Sequence, residues 1–321
     1  MRSMLSLLAV ASTLLGLALP VAAQSYPSSP ITLVIPLAPG DGTDVAGRTM
    51  AEALSRLLKV AVVPINRPGG GMAIGTDSVI KAKKDGYTIL ITPNAALISG
   101  RIMNPDTVVY DPMKDLTHLG GTTRTPVILT VRGDGPWKSL SELVEFAKKN
   151  PGKARAATVG PGSIGHFSVE MINTLTGAGL TPVPFKGGAP GMTALLGGHV
   201  EVGAFSVGAT SGHLRSGAMR GLVVSSKSPA FPEIPTLAEL GYRQNLPGIW
   251  LAFYGPAGMP AEVTKVLVSA IEKVVKDPAI ATMLAPFGMV QDYTPPDRVL
   301  AEIREEHRVL EELARKAGLV K

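Results

Sequence analysis

The heptapeptide Gly160-Pro161-Gly162-Ser163-Ile164-Gly165-His166 admits three chemistries. Glycines at 160, 162 and 165 fit the G-x-G-x-x-G spacing that lets a dinucleotide pyrophosphate approach the backbone at a helix start. Ser163 and His166 are the residue types of a nucleophile and its general base. A glycine-rich turn feeding a helix also exposes unpaired first-turn N–H groups at the positive end of the helix dipole, which suits a carboxylate.

The dinucleotide reading fails on its second requirement. An acidic residue should end the next strand to hold the ribose hydroxyls, but that strand ends at Phe185-Lys186, and Pro161 occupies the turn. For catalysis, Gly162-Ser163-Ile164-Gly165 lacks the full G-x-S-x-G elbow. A hydrolase using Ser163 and His166 stays open only as an alternative, and no catalytic residue is assigned. His166, just inside the helix, reads first as a structural hydrogen-bonder and second as a ligand contact. No metal is assigned either, since H-E-x-x-H is absent and the histidines at 118, 166, 199, 213 and 307 are scattered. No cofactor is expected. What remains is a backbone cradle for negative charge.

A second turn reads the same way. "PLAPGDGTD" (36–44) runs from a strand into a helix, with Thr43 or Asp44 as N-cap and Gly40, Asp41 and Gly42 in the turn. Asn94, after the strand 88–92, and Lys186, after the strand 180–185, also sit at carboxyl ends of strands, where open α/β sheets collect ligands. The loop "NRPGGG" (66–71) has the composition of a mobile surface loop or of one lying close to another backbone.

The elements that position these turns alternate. "ITLVIPLA" (31–38) is a strand, and "VAGRTMAEALSRLLK" (45–59) spaces Ala46, Met50, Ala53, Leu54, Leu57 and Leu58 as a helix face. A strand at 60–64, a helix to about Lys84 and a strand at 88–92 follow. The alternation restarts at 126–133, with a helix at 139–150 capped by Ser139 or Ser141. Strand 154–159, helix 166–177, strand 180–185, a short helix to Leu196, strand 200–205, a helical stretch 209–217 and strand 220–226 complete this second set. A Pro-rich boundary at 228–242 leads to three helices, about Ala261–Lys276, Ala279–Ala285 and Pro296–Ala317. Such alternation implies mainly parallel sheets flanked by helices. Each half carries one strand, glycine turn and capped helix, so two lobes could close on one anion.

Composition agrees with this reading. The chain has 321 residues, 45% hydrophobic, more than one core usually holds. Arg2, an apolar run from Met4 to Ala18, Pro20 and small residues at 21 and 23 describe a secretory signal cleaved after Ala23. No cysteine is present, so no disulfide or thiolate chemistry exists. The net charge of +6, with 5% aromatics and no basic cluster, argues against a nucleic-acid surface and is compatible with attracting small anions.

Several blocks in order carry a family likeness: "YPSSPITLVIPLAPGDGTDVAGR", "INRPGGGMAIGTDSV", "DGYTILI", "VYDPMKDLTHLG", "GPGSIGHFSVEMI", "PVPFKGGAPGMTALLGGHVEV" and "GPAGMPAEV". From Tyr26 to the C-terminus the chain resembles the Bug or TctC-type periplasmic substrate-binding proteins of tripartite tricarboxylate transporters. The resemblance implies an α/β fold of two lobes, residues 24–125 with 228–321 and residues 126–227. It implies a small organic carboxylate between them, delivered to membrane permease subunits by a monomer; an exported sensor for a membrane receptor is the alternative. By position it points to Gly40, Gly42, Thr43, Gly162, Ser163 and His166 as ligand contacts, with Asn94 and Lys186 behind them. Two departures stand out. Asp41 replaces the second glycine of a usual Pro-Gly-Gly, and Phe205 stands where the family carries an acid. They suggest a ligand unlike the commonest dicarboxylates, either an aromatic acid or an amino-bearing molecule.

Overall fold

A computed structural model describes residues 26–320; the signal segment expected at 1–23 lies outside them. Eleven strands form two sheets. The first contains β1 (Ile31–Ile35), β2 (Val62–Asn66), β3 (Thr88–Pro93), β4 (Leu116–Thr125), β10 (Ile249–Pro256) and β11 (Val290–Thr294). Its order is β11-β4-β10-β3-β1-β2. The second contains β5 (Val127–Arg132), β6 (Arg155–Thr158), β7 (Thr181–Pro184), β8 (Val202–Ser206) and β9 (Met219–Val224), in the order β7-β6-β8-β5-β9. The chain therefore passes from the first sheet to the second at Thr125-Pro126-Val127 and returns between Val224 and Ile249.

Strand pairing corrects the expectation of mainly parallel sheets. Four neighbouring pairs are parallel and five antiparallel, because β4, β5, β9, β10 and β11 run against their neighbours. The parallel part of each sheet, β2-β1-β3 and β7-β6-β8, is the part with the β-α-β alternation that the sequence shows.

Helices follow the strands: α1 (Gly42–Leu58), α2 (Ala73–Ile80), α3 (Asn94–Leu97), α4 (Ser99–Met103), α5 (Leu140–Lys149), α6 (Ile164–Thr176), α7 (Gly188–Leu196), α8 (Val207–Arg215), α9 (Ala261–Val275), α10 (Pro278–Leu284) and α11 (Pro296–Lys316). Ser139 caps α5, as expected, its hydroxyl accepting from Glu142 N–H at 3.2 Å. In α1 the cap is neither Thr43 nor Asp44 but Asp41, whose side chain accepts from Thr43 N–H at 2.8 Å. An N-cap oxygen reaches two or three residues ahead, so the first carboxylate that can do this takes the role. Among the described residues no helix is long and apolar enough to cross a membrane.

One core runs through both sheets. Val34 and Leu90 of the first and Leu129 and Val202 of the second share an apolar cluster with Val299, Ile303, Leu310 and Leu313 of α11. This last helix packs on β4, α4 and α6 and so touches elements of both sheets.

The strands that link the sheets are tied to α11 by polar contacts. Glu306 on α11 accepts from Asn94 Nδ2 at 2.7 Å and from Trp250 Nε1 on β10 at 2.7 Å. Asn94 also donates to the Gly248 carbonyl and accepts from Trp250 N–H, which fixes the returning crossover. Beside it, Arg124 at the end of β4 holds Glu302 with both carboxylate oxygens at 2.9 Å, and Asp292. Glu306 as a residue is only partly buried, but its carboxyl faces inward. Burial pushes that carboxyl up to about 7, against the pull of the Trp250 and Asn94 donors.

The folded state therefore holds the Glu306 proton more tightly than the unfolded chain does. Its contribution is complete below about 4.5 and is lost as pH rises through about 7. Stability should fall across that window by on the order of 2 to 3 kcal/mol from this group. Glu306→Gln should flatten that segment in chemical denaturation at several pH values. An unchanged slope would show that Glu306 does not titrate there.

Candidate functional site

Where the sheets face each other, a cleft of about 540 Å³ takes its lining from both. From the first sheet's side come Leu37, Asp41, Thr43, Gly70, Gly71, Met72, Pro93, Ala95, Met103 and Ile249; from the second come Val127, Val159, Gly162, Ser163, Ile164, Gly165, Phe205, Ser206 and Ala209. Three helix starts converge here, each with a side-chain cap: Asp41 for α1, Ser163 for α6 and Ser206 for α8. Their strands, β1, β6 and β8, all end at the cleft. A helix cannot satisfy its own first N–H groups, so such groups are left for caps, water or a ligand.

The α6 turn shows how these donors are sorted. Ser163 Oγ accepts from His166 N–H at 3.2 Å and donates to the Gly160 carbonyl at 2.8 Å. Gly162 N–H donates to His166 Nδ1 at 3.0 Å. Ile164 and Gly165, the first two residues of α6, line the cleft, and their N–H groups have no hydrogen-bond partner among the described residues. A β-carbon on Gly165 would lie 2.6 Å from the Ala204 carbonyl, so glycine is what seats the helix start on β8.

His166 is buried and does not line the cleft. With Nδ1 accepting a backbone N–H, it is neutral and carries its proton on Nε2, which lies 3.8 Å from Glu170. Burial lowers its pKa, while Glu170 acts in the opposite direction. Because Ser163 Oγ donates to a carbonyl instead of to this imidazole, the two residues do not form a nucleophile–base pair. His166 shapes the turn.

The α1 turn divides differently. Asp44 is 3% exposed and accepts from Gly40 N–H at 2.9 Å, Asn66 Nδ2 at 2.8 Å and Arg48 Nε at 2.9 Å. Burial alone would raise its carboxyl, but these bonds and the Arg48 charge hold it below the usual carboxylate range. Asp44 and Gly40 are thus committed to each other, and neither they nor Gly42 line the cleft. Asp41 and Thr43 do. The hydroxyl of Thr43 has no hydrogen-bond partner among the described residues, although the residue is 5% exposed.

Side-chain direction sorts three further candidates. Asn94 is fully buried in the Glu306–Trp250 network, and its neighbours Pro93 and Ala95 line the cleft instead. Lys186 is exposed and lies outside the lining, to which this turn contributes Gly188. Phe205 is 2% exposed, with its ring over Gly191 and Gly203 in a cluster with Leu195 and Met219. It forms part of the floor of the cleft.

The sequence reading missed Ser206, Ala209, Met103 and Ile249. Ser206 ends β8 and caps α8 by accepting from Ala209 N–H at 3.3 Å, the same strand-end serine signature as Ser163. Gly70 and Gly71 of the "NRPGGG" loop also face the cleft. Two contacts bring the halves together beside it. A β-carbon on Gly162 would lie 2.6 Å from Met103 Cγ, and one on Gly208 would lie 2.3 Å from the Phe287 carbonyl oxygen. Gly208 starts α8 of the second sheet, and Phe287 ends a short turn before β11 of the first.

Known proteins share this architecture and sequence. Residues 46–319 match the profile of TctC, the tripartite tricarboxylate transporter family receptor. Protein BugT of Bordetella pertussis is 31% identical over 100% of this chain and 97% of its own. A TctC solute-binding protein from Polaromonas superposes with a TM-score of 0.81 at 29% identity, covering 91% of this chain and 99% of that one. Rpa4515 of R. palustris, solved with adipate, gives 0.76 at 28% identity, covering 91% and 98%. With two helix-flanked sheets, a cleft between them and this match along nearly its whole length, the chain belongs to the TctC family, as a Bug-type solute-binding protein.

Proposed function

We propose that the cleft captures a small organic carboxylate in the periplasm and that the loaded protein, a monomer, delivers it to the permease subunits of a tripartite tricarboxylate transporter. In this reading residues 24–125 with 228–321 form one lobe and 126–227 the other. The observation that carries it is the convergence of three capped helix starts on a cleft that, among the described residues, no lysine, arginine or histidine lines. Without a cationic side chain, the attraction for an anion must come from N–H groups and helix dipoles. The adipate held by the R. palustris relative supports the ligand class.

The carboxylate would take the Ile164 and Gly165 N–H groups of α6, with the Thr43 hydroxyl donating from the opposite wall. Asp41 caps α1 and weakens that helix as an anion site, so the second sheet carries most of the negative end. Contacts at Gly162–Met103 and Gly208–Phe287 close the sides, which excludes water and strengthens each hydrogen bond.

Thr43→Val removes the hydroxyl without touching the cap. Its binding of a carboxylate such as adipate should weaken about five- to tenfold, the worth of one hydrogen bond near 1 kcal/mol, while the melting temperature stays unchanged; calorimetry giving equal affinity would remove Thr43 from the site. Ser163→Ala should lose about 1 kcal/mol of stability as a cap and also weaken binding, because the loop that aims the α6 donors loses its Gly160 tie. Unaltered affinity would leave the serine a cap alone. Gly208→Ala places a β-carbon into the Phe287 carbonyl, so affinity should fall at least tenfold and ligand should no longer contract the protein in small-angle scattering. Wild-type contraction would show that the contact does not limit closure.

A further inference from the structure

Among the described residues Asp41 is the one charged side chain lining the cleft. Its Oδ1 takes the Thr43 N–H, and its Oδ2 has no hydrogen-bond partner among the described residues. The cation nearest along the chain, Arg48, is spent on Asp44 and Asn66, and Lys186 lies outside the lining. The carboxylate is exposed, so it is hydrated in the empty cleft and loses that water when a ligand closes it in.

A carboxylate ligand placed beside it without compensation would be repelled, and more strongly as water leaves. The repulsion turns to attraction if the ligand carries an ammonium group on the Asp41 side. The two walls are already polarised for such a molecule. The α6 start presents the unpartnered Ile164 and Gly165 N–H groups on one side, and an acceptor-only carboxylate stands on the other. Met72, Met103, Val108, Val127, Phe205 and Ile249 offer apolar surface between them.

We infer that the ligand is an amino-bearing carboxylate, its carboxylate on the Ile164 and Gly165 N–H groups of α6 and its ammonium on Asp41 Oδ2, with a carbon body on the apolar lining. This rests on the carboxylate-binding reading above and specifies its ligand class. Asp41 then has two tasks, capping α1 through Oδ1 and selecting the ligand through Oδ2. A selecting charge of this kind works as much by rejecting dianions as by holding zwitterions.

The experiment compares matched probes by calorimetry on the full processed protein: L-glutamate against glutarate, and L-leucine against 4-methylpentanoate. Asp41→Asn keeps an N-cap acceptor while removing the charge, and Asp41→Ser supplies a second capped, neutral variant. The wild type should bind the amino-bearing member of at least one pair at least tenfold more tightly, and both variants should erase that preference with little change in melting temperature. If the deaminated acids bind as well as or better than their partners in the wild type, or if the preference survives both variants, the inference is overturned. Binding of glutarate that remains sensitive to Thr43→Val would then leave the carboxylate reading intact. If neither member of either pair binds, both readings fail together.

Discussion

A helix cannot hydrogen-bond its own first N–H groups, and the organisation of this protein follows from where those groups are left. Three strands, β1, β6 and β8, end at one cleft, and each hands the chain to a helix through a capped turn. Asp41, Ser163 and Ser206 each satisfy one donor, and the α6 turn leaves the Ile164 and Gly165 N–H groups without a partner at the cleft lining. The glycines around them keep side chains out of the way, so in the proposed reading the attraction for an anion is built from backbone. Such a site would need no arginine or lysine, and Asp41 would be the charged side chain that modifies it.

Positioning these helix starts from two different sheets requires the crossovers to be held firmly. Asn94, Glu306 and Trp250 do this with hydrogen bonds that join the end of β3, the start of β10 and the last helix. Arg124, with Glu302 and Asp292, repeats the arrangement one strand away. The apolar cluster running through α11 adds a continuous connection between halves. Beside the cleft the halves meet where Gly208 and Gly162 approach Phe287 and Met103 without side chains of their own.

Much of this was legible in the sequence because it is local. The β-α-β alternation, the strand-to-helix turns at 36–44 and 160–166 and the capping role of Ser163 all depend on neighbours within a few residues. The antiparallel strands were harder to see. β4 reads Leu-Thr-His-Leu-Gly-Gly-Thr-Thr-Arg-Thr, with polar residues buried on both faces, and β11 is short and half-exposed. The α1 cap was placed at 43 or 44 because Thr and Asp are both good caps, and only the turn geometry selects Asp41. Asn94 and Lys186 sit at strand ends as expected, but side-chain direction depends on partners far away, in the case of Asn94 on Glu306, 212 positions along the chain. Phe205 shows the same limit: its strand was found, but which face its ring takes was not.

The central claim is that backbone donors at the helix starts, and not cationic side chains, hold the ligand. Amide chemical shifts measured while adipate or L-glutamate is titrated into isotope-labelled protein test it directly. The account predicts the largest downfield changes at Ile164 and Gly165, saturating together with one affinity. Saturable changes centred on lysine- or arginine-rich surface elsewhere, with these amides unmoved, would contradict it.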